Sequence, residues 1–278
     1  MKDKIHIKKS FLQSGKDLQI TKSLKVKHPT IQEVLDIDNE GYGYNSENIY
    51  YSWVSIFICD PYDYMVYLDD KKMDYEKVEP FDLFIMLYQD MLKKYEENFR
   101  PIMSDDEYEN AILNNPYFKA FKFFLNKEYF IIANDENDNL VIGDVDTHTV
   151  MIDNETFTYV SEFIKQINGI YEGERINPED DFAKQILIQD ERERLKKLAK
   201  KPPDEKENNR LGNLLSAITW ASNGGVTPFN RNKLHMYDLV DGIYRTDKLL
   251  NYNHTITGVY SGCVDKDKID MQKLSWQS

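Results

Sequence analysis

The stretch PFDLFIMLYQDMLKKYEENF, residues 80–99, decides the fold class. Its large apolar residues recur at spacings of three and four, which places them on one face of an α-helix: Phe81, Phe84, Leu87, Tyr88, Met91, Leu92 and Tyr95. Pro80 suits the first turn, and Lys93 and Lys94 near the far end favour the helix dipole. The stretch therefore predicts a long amphipathic helix packed against a core.

Capping residues predict where further helices begin and end. Thr30 and Glu33 stand at the spacing of a capping box, in which each side chain satisfies the other's exposed backbone donor. In DNETFTYVSEFIKQING, Asp153 or Asn154 can cap the first turn, and Gly169 ends the helix. Helices therefore lie on both sides of residues 80–99.

The last third of the chain contains a charged helix, a linker and a second helical part. In NPEDDFAKQILIQDERERLKKLAKK, Asn177 is the predicted N-cap and Pro178 the first helical residue. KPPDEKENNR, residues 201–210, has two prolines and no apolar residue, as is typical of a linker. We therefore predict an N-terminal mixed domain over 1–200 and a helical part over 211–278.

Three short apolar runs in the middle of the chain predict a small antiparallel sheet near 129–152. Polar turn residues separate the three runs, which are YFII, LVIG and TVMI. Residues 1–27 alternate charged and aliphatic residues and can supply a strand or two. The predicted fold class is therefore α+β, mostly α-helical, with one small sheet near the middle.

An acidic stretch between two of these runs is spaced partly like a calcium loop. Asp135, Asn137, Asn139 and Asp146 match the first, third, fifth and twelfth positions of such a loop. Leu140 occupies the sixth position, where the sharp turn needs glycine. Since apolar runs flank the stretch, we expect a β-turn with locally hydrogen-bonded side chains and no metal.

Composition limits the classes of function. The 278 residues include 35 basic and 48 acidic ones, a net charge of −13, which opposes binding to nucleic acid or anionic lipid. No apolar run approaches the roughly 20 residues of a membrane-spanning helix. With only two cysteines and no export signal, a reducing cytoplasm fits best.

No motif in the chain carries an enzymatic reaction or a cofactor. Phosphate-binding glycine loops and GxSxG are absent, and the five histidines are scattered. Cys263 with His254 upstream lacks any family motif, so we expect a buried, inert thiol there. We therefore expect no catalytic residue, no metal ligand and no cofactor.

Aromatic residues are frequent and suit protein interfaces. The residues that we predict as partner contacts are Trp53, Tyr62, Tyr64, Tyr237, Tyr244 and Trp276. The alternative is that such residues form the core. Both interpretations hold together where helices are apolar on two faces.

The order of several segments resembles a known family. These segments are LKVKHPTIQEVLDI, DPYDYMVYLDDKKMDYEKVEPFDLFIMLYQD, MIDNETFTYVSEFIKQING, NPEDDFAKQILIQDERERLKKLAKK, LGNLLSAITW, HMYDLVDGIYR, GVYSGCVD and LSW. From about Leu24 onward the chain is similar to tail-module proteins in phages of low-GC Gram-positive bacteria, commonly regarded as tail assembly chaperones. The resemblance implies a non-enzymatic protein of the host cytoplasm that binds the tape-measure protein.

Two other classes of function stay open. One is a virion component of the neck or baseplate, which would remain in the finished particle. The other is an inhibitor or trigger of host defence, using the charge of −13 to mimic nucleic acid. Lysines interspersed among the acidic residues argue against mimicry. The sequence leaves open whether the protein forms a homo-oligomer.

Overall fold

The structure is a computed structural model that describes residues 5, 7–40, 49–127, 130–144, 149–171, 175–200, 210–221, 225–270 and 274–275. About 60% is helical, and small antiparallel sheets accompany the helices, which confirms the predicted fold class. The helices are α1 (Lys9–Leu12), α2 (Ile31–Glu40), α3 (Ile49–Ile58), α4 (Met65–Asp70), α5 (Pro80–Phe99), α6 (Asp105–Leu113), α7 (Pro116–Leu125), α8 (Asn154–Ile167), α9 (Asp181–Leu198), α10 (Arg210–Ala221) and α11 (Met236–Tyr260). The strands are β1 (Leu18–Gln19), β2 (Lys25–Val26), β3 (Phe130–Asn134), β4 (Leu140–Asp144) and β5 (Val150–Ile152).

Helix α5 has the predicted bounds and lies at the centre of the core. Pro80 is its first residue, and Phe81, Phe84 and Tyr88 are buried along the predicted face. The ring of Phe84 lies 5.8 Å from that of Phe121 on α7 and 5.2 Å from that of Phe157 on α8. Aromatic contacts therefore join three helices that are distant in sequence.

The predicted caps are confirmed at α2 and α8. The Thr30 amide donates to Glu33 Oε2 at 2.8 Å, while the Glu33 amide donates to Thr30 Oγ1 at 3.3 Å. The Asp153 carboxylate caps α8 by accepting the Thr156 amide at 2.8 Å. Gly169 follows α8 with φ +62°, a left-handed conformation that favours glycine.

The predicted start of α9 was wrong by three residues. The N-cap is Asp180, whose side chain accepts the Ala183 amide at 2.7 Å, so the helix begins at Asp181 and Asn177 lies outside it. Carboxylates and amides both serve as N-caps, and NPEDD contains several of them. The sequence alone therefore allowed more than one starting point.

The central sheet has the order β3-β4-β5 with antiparallel pairing, as predicted. The acidic stretch forms the turn between β3 and β4: Asp135 Oδ1 accepts the amides of Asn137 and Asn139, both at 2.8 Å. The β-turn is therefore confirmed, while Asp146 lies outside the described residues. Strands β1 and β2 add a second, two-stranded sheet to the single sheet predicted.

The C-terminal helices dock onto the rest of the chain. Leu215 and Ile218 of α10 and Leu239 of α11 belong to the same apolar core as α5. Backbone pairing joins the chain before α2 to the start of α11, because the Met236 amide donates to the Pro29 carbonyl at 3.0 Å. Residues 201–209 of the predicted linker lie outside the described residues, so the domain boundary stays a prediction. Within the described ranges no helix is long and apolar enough to cross a membrane.

Candidate protein-binding surfaces

The aromatic residues predicted as partner contacts do not form one surface. Trp53 and Tyr237 are 9% and 6% exposed and lie in the core. The Trp53 ring lies 5.7 Å from that of Phe123, so its area is used in packing α3 against α7. Tyr62 and Tyr64 are half-buried and line two different hollows. Tyr244 is 51% exposed, and Trp276 lies outside the described residues.

A set of large aromatic side chains extends into solvent from the C-terminal part. We call Trp220, Phe229, Tyr244 and Tyr260 the C-terminal aromatic set; they are 80%, 94%, 51% and 88% exposed. Helix α10 buries Leu211, Leu215, Ile218 and Thr219 on one face, which leaves Trp220 outside it. Aromatic side chains at this exposure are typical of surfaces that bind another protein.

Net charge also differs between the C-terminal part and the rest of the chain. Residues 1–199 contain 24 basic and 39 acidic residues, a net charge of −15, whereas residues 200–278 contain 11 and 9, a net charge of +2. An approaching acidic protein is therefore repelled less by the C-terminal part. Its exposed aromatic side chains and its small net charge make the C-terminal part the better candidate for a binding surface.

A second apolar surface lies between α3, α4 and α5. This aromatic groove has a volume of about 380 Å³. Its apolar lining consists of half-buried side chains: Ile56, Tyr64, Leu87, Met91, Tyr95 and Tyr117. Asp90 on its rim accepts hydrogen bonds from Tyr67 Oη at 2.8 Å and Lys71 Nζ at 3.0 Å. The groove therefore combines an apolar floor with a charged edge.

A third hollow is a polar cleft of about 400 Å³ beside Tyr62 and α8. Four of its charged residues pair with one another, Asp60 with Arg175 and Glu162 with Lys165 at 3.0 Å, and Glu76 pairs with Lys184. Because these charges already have partners within the protein, we interpret the cleft as part of the packing interface between helices.

Cys59 is not placed as an activated nucleophile. Burial raises the pKa of Cys59 to about 12, and its thiol donates to the Ile56 carbonyl at 3.1 Å. Cys263 is exposed, so the expectation that it is buried was wrong. It follows α11, where the helix has left the core. Across the described residues no three His, Cys, Asp or Glu side chains are grouped to hold a metal ion.

Comparison with known proteins gives a match to a family model. The family model of the YomV second domain matches residues 200–278, less than a third of the chain. No curated protein and no solved structure matches. YomV is a Bacillus prophage-region protein. The match indicates a phage- or prophage-associated protein, so the predicted relation to phage proteins is confirmed at that level.

The matched residues include every member of the C-terminal aromatic set. The match also begins at residue 200, one residue before the predicted linker 201–210. The exposed aromatic side chains, the change in net charge and the family match therefore fall in the same part of the chain.

Proposed function

We propose that the protein is a non-enzymatic tail assembly chaperone that binds the tape-measure protein in the host cytoplasm. The observation that carries the proposal is the C-terminal aromatic set, three members of which are at least 80% exposed. This set lies in the part similar to a domain of a prophage-region protein.

The physical basis is burial of apolar surface. Trp and Tyr side chains contribute much of the binding energy at protein interfaces, because they bury large areas with few rotatable bonds. A tape-measure protein forms long helices with apolar faces, which aggregate when they are unprotected. Covering those faces with Trp220, Phe229 and Tyr260 would prevent such contacts.

The acidic N-terminal part contributes solubility. Its net charge of −15 causes repulsion between complexes, and acidic residues favour solubility more than basic ones do. In this division of roles, the C-terminal part binds the client and residues 1–199 keep the complex dispersed.

The test is co-expression of the full chain with the tape-measure protein of the same genome, followed by co-purification through a tag on the chain. We expect the tape-measure protein to move from the pellet to the soluble fraction and to elute with the chain. A tape-measure protein that stays in the pellet and does not elute would exclude the chaperone role.

Mass spectrometry of purified virions tests the alternative role in the neck or baseplate. A chaperone leaves before the particle is complete, so we expect no stoichiometric peptides from this chain. A fixed copy number in intact virions would instead establish a structural component.

A further inference from the structure

Helix α9 lies against α4 and the turn that follows it, and buries little apolar surface there. Among its 18 residues, all of them described, Ile188 alone is buried. Helix α8, with 14 residues, buries seven. An isolated helix of the length of α9 is only marginally stable in water. Contacts other than apolar burial are therefore needed to hold α9 in place.

Lys184 forms the first of two charge contacts that α9 makes with this surface. Its ammonium group binds the carboxylates of Asp74 and Glu76. The same group lies 4.7 Å from the centre of the Tyr75 ring, which is 5% exposed. The hydrogen bond from Lys184 lowers the pKa of Asp74, because it stabilises the ionised carboxylate. Lys184 therefore joins α9 to three consecutive residues of the turn after α4.

Arg192 forms the second charge contact, with the last two residues of α4. Its Nη2 donates to Asp69 Oδ2 at 2.9 Å and to Asp70 Oδ1 at 2.8 Å. Lys184, Ile188 and Arg192 follow one another at intervals of four, so they lie on one face of α9. The two cations are about 12 Å apart along the helix axis, and the buried isoleucine lies between them.

Both charge contacts are accessible to dissolved salt. The four paired carboxylates are between 32% and 60% exposed. Exposed ion pairs weaken as ionic strength rises, because the screening length falls from about 10 Å at 0.1 M salt to about 3 Å at 1 M. Apolar burial has no charge to be screened. We therefore expect the docking of α9 to respond to salt more strongly than the docking of α8.

We propose that α9 is a strap held on α4 by ion pairs, which high ionic strength releases while the apolar core stays folded. Release uncovers the Tyr75 ring and separates Ile188 from the core. This conformational device does not rest on the proposed chaperone function and goes beyond it.

Hydrogen exchange of the full chain, followed by mass spectrometry of its peptides, measures the docking of α9. The conditions compared are about 0.05 M and about 1 M sodium chloride. Amides of α9 should exchange about tenfold faster at the higher salt concentration, because the undocked helix opens locally. Amides of α8 are the internal control and should keep their rates. Equal rates in α9 at the two salt concentrations would overturn the proposal.

Variants test whether the two cations cause the salt response. In the double variant Lys184→Gln and Arg192→Gln, α9 should exchange about tenfold faster at low salt, and its rates should no longer depend on salt. The double variant Lys196→Gln and Lys197→Gln removes the same charge from exposed positions of the same helix and should behave like the wild type. A salt response that survives the loss of Lys184 and Arg192 would exclude the ion pairs as its cause.

Ile188→Val separates the ion pairs from apolar burial. It removes one buried methylene group and should speed exchange of α9 about threefold at both salt concentrations. The ratio between the two rates should stay that of the wild type. A loss of the salt response in this variant would assign the response to the apolar contact and contradict the proposal.

Discussion

Residues 1–199 bury most of their phenylalanines, whereas residues 200–278 expose their one phenylalanine and Trp220. Seven phenylalanines of the first region are less than 2% exposed: Phe57, Phe81, Phe84, Phe121, Phe124, Phe157 and Phe163. In the second region Phe229 is 94% exposed and Trp220 is 80% exposed. Most phenylalanines of the first region therefore stabilise the fold, whereas Phe229 and Trp220 of the second remain available for contact. The difference separates stability from binding, and each can be changed by mutation on its own.

The largest expected effect comes from the buried rings. Phe84→Ala should lower the free energy of unfolding by about 3–5 kcal/mol, because it removes contacts with several rings and leaves a cavity. Phe229→Ala is the matched variant in the second region and should change the free energy of unfolding by less than about 0.5 kcal/mol. Chemical denaturation measures both values. Similar losses from the two variants would contradict the contrast between the regions.

A smaller effect is expected from pH at the junction of the two regions. His28 is 3% exposed, and its Nε2 accepts the Tyr237 amide at 3.4 Å. Burial and the nearby His235 lower the pKa of His28 to about 4, from about 6.5 in the unfolded chain. The folded state therefore binds fewer protons than the unfolded state between these values.

The direction of the pH effect on stability follows from this difference in bound protons. The contribution of His28 to stability is complete above about pH 6.5 and is lost as the pH falls towards 4, by at most ~3 kcal/mol. Denaturation at a series of pH values should show this loss, and His28→Gln should reduce it while retaining an acceptor for Tyr237. An unchanged pH profile in the variant would mean that His28 does not cause the loss.

Two glycines with positive φ allow a finer comparison. Gly169 has φ +62°, and a Cβ atom there would lie 2.3 Å from Val240 Cγ1 of α11. Gly262 has φ +75° and nothing within 4 Å of the same position. Each alanine variant should cost about 1 kcal/mol for the backbone, and Gly169→Ala about 1–2 kcal/mol more for overpacking. Equal midpoints in thermal unfolding would show that α8 and α11 are not tightly docked.

Local signals allowed much of the fold to be predicted. The 80–99 helix follows from apolar spacing within twenty residues, and the caps at Thr30 and Asp153 follow from contacts across one turn. The acidic hairpin turn follows from residues 134–140 in the same way. The predicted start of α9 was wrong because several neighbouring residues can each serve as the N-cap.

The binding surfaces were predicted less well because they depend on tertiary packing. Burial of Trp53 results from contact with Phe123, seventy positions away, and that of Tyr237 from docking against His28. The aromatic groove joins residues of four helices and has no local pattern. Two signals were nevertheless present: Trp220 falls off the apolar stripe of its helix, and Phe229 lies between Pro228 and Asn230.

The most direct test of the central claim compares two triple variants in the tape-measure co-purification. Trp220→Ser, Phe229→Ser and Tyr260→Ser are combined in one chain. Ile102→Ser, Tyr171→Ser and Phe182→Ser, at sites exposed by 76%, 74% and 75%, are combined in the control. We predict that the first chain folds with wild-type stability and retains less than a tenth of the tape-measure protein, while the control retains all of it. Equal recovery by the two chains would contradict the assignment of binding to the C-terminal aromatic set.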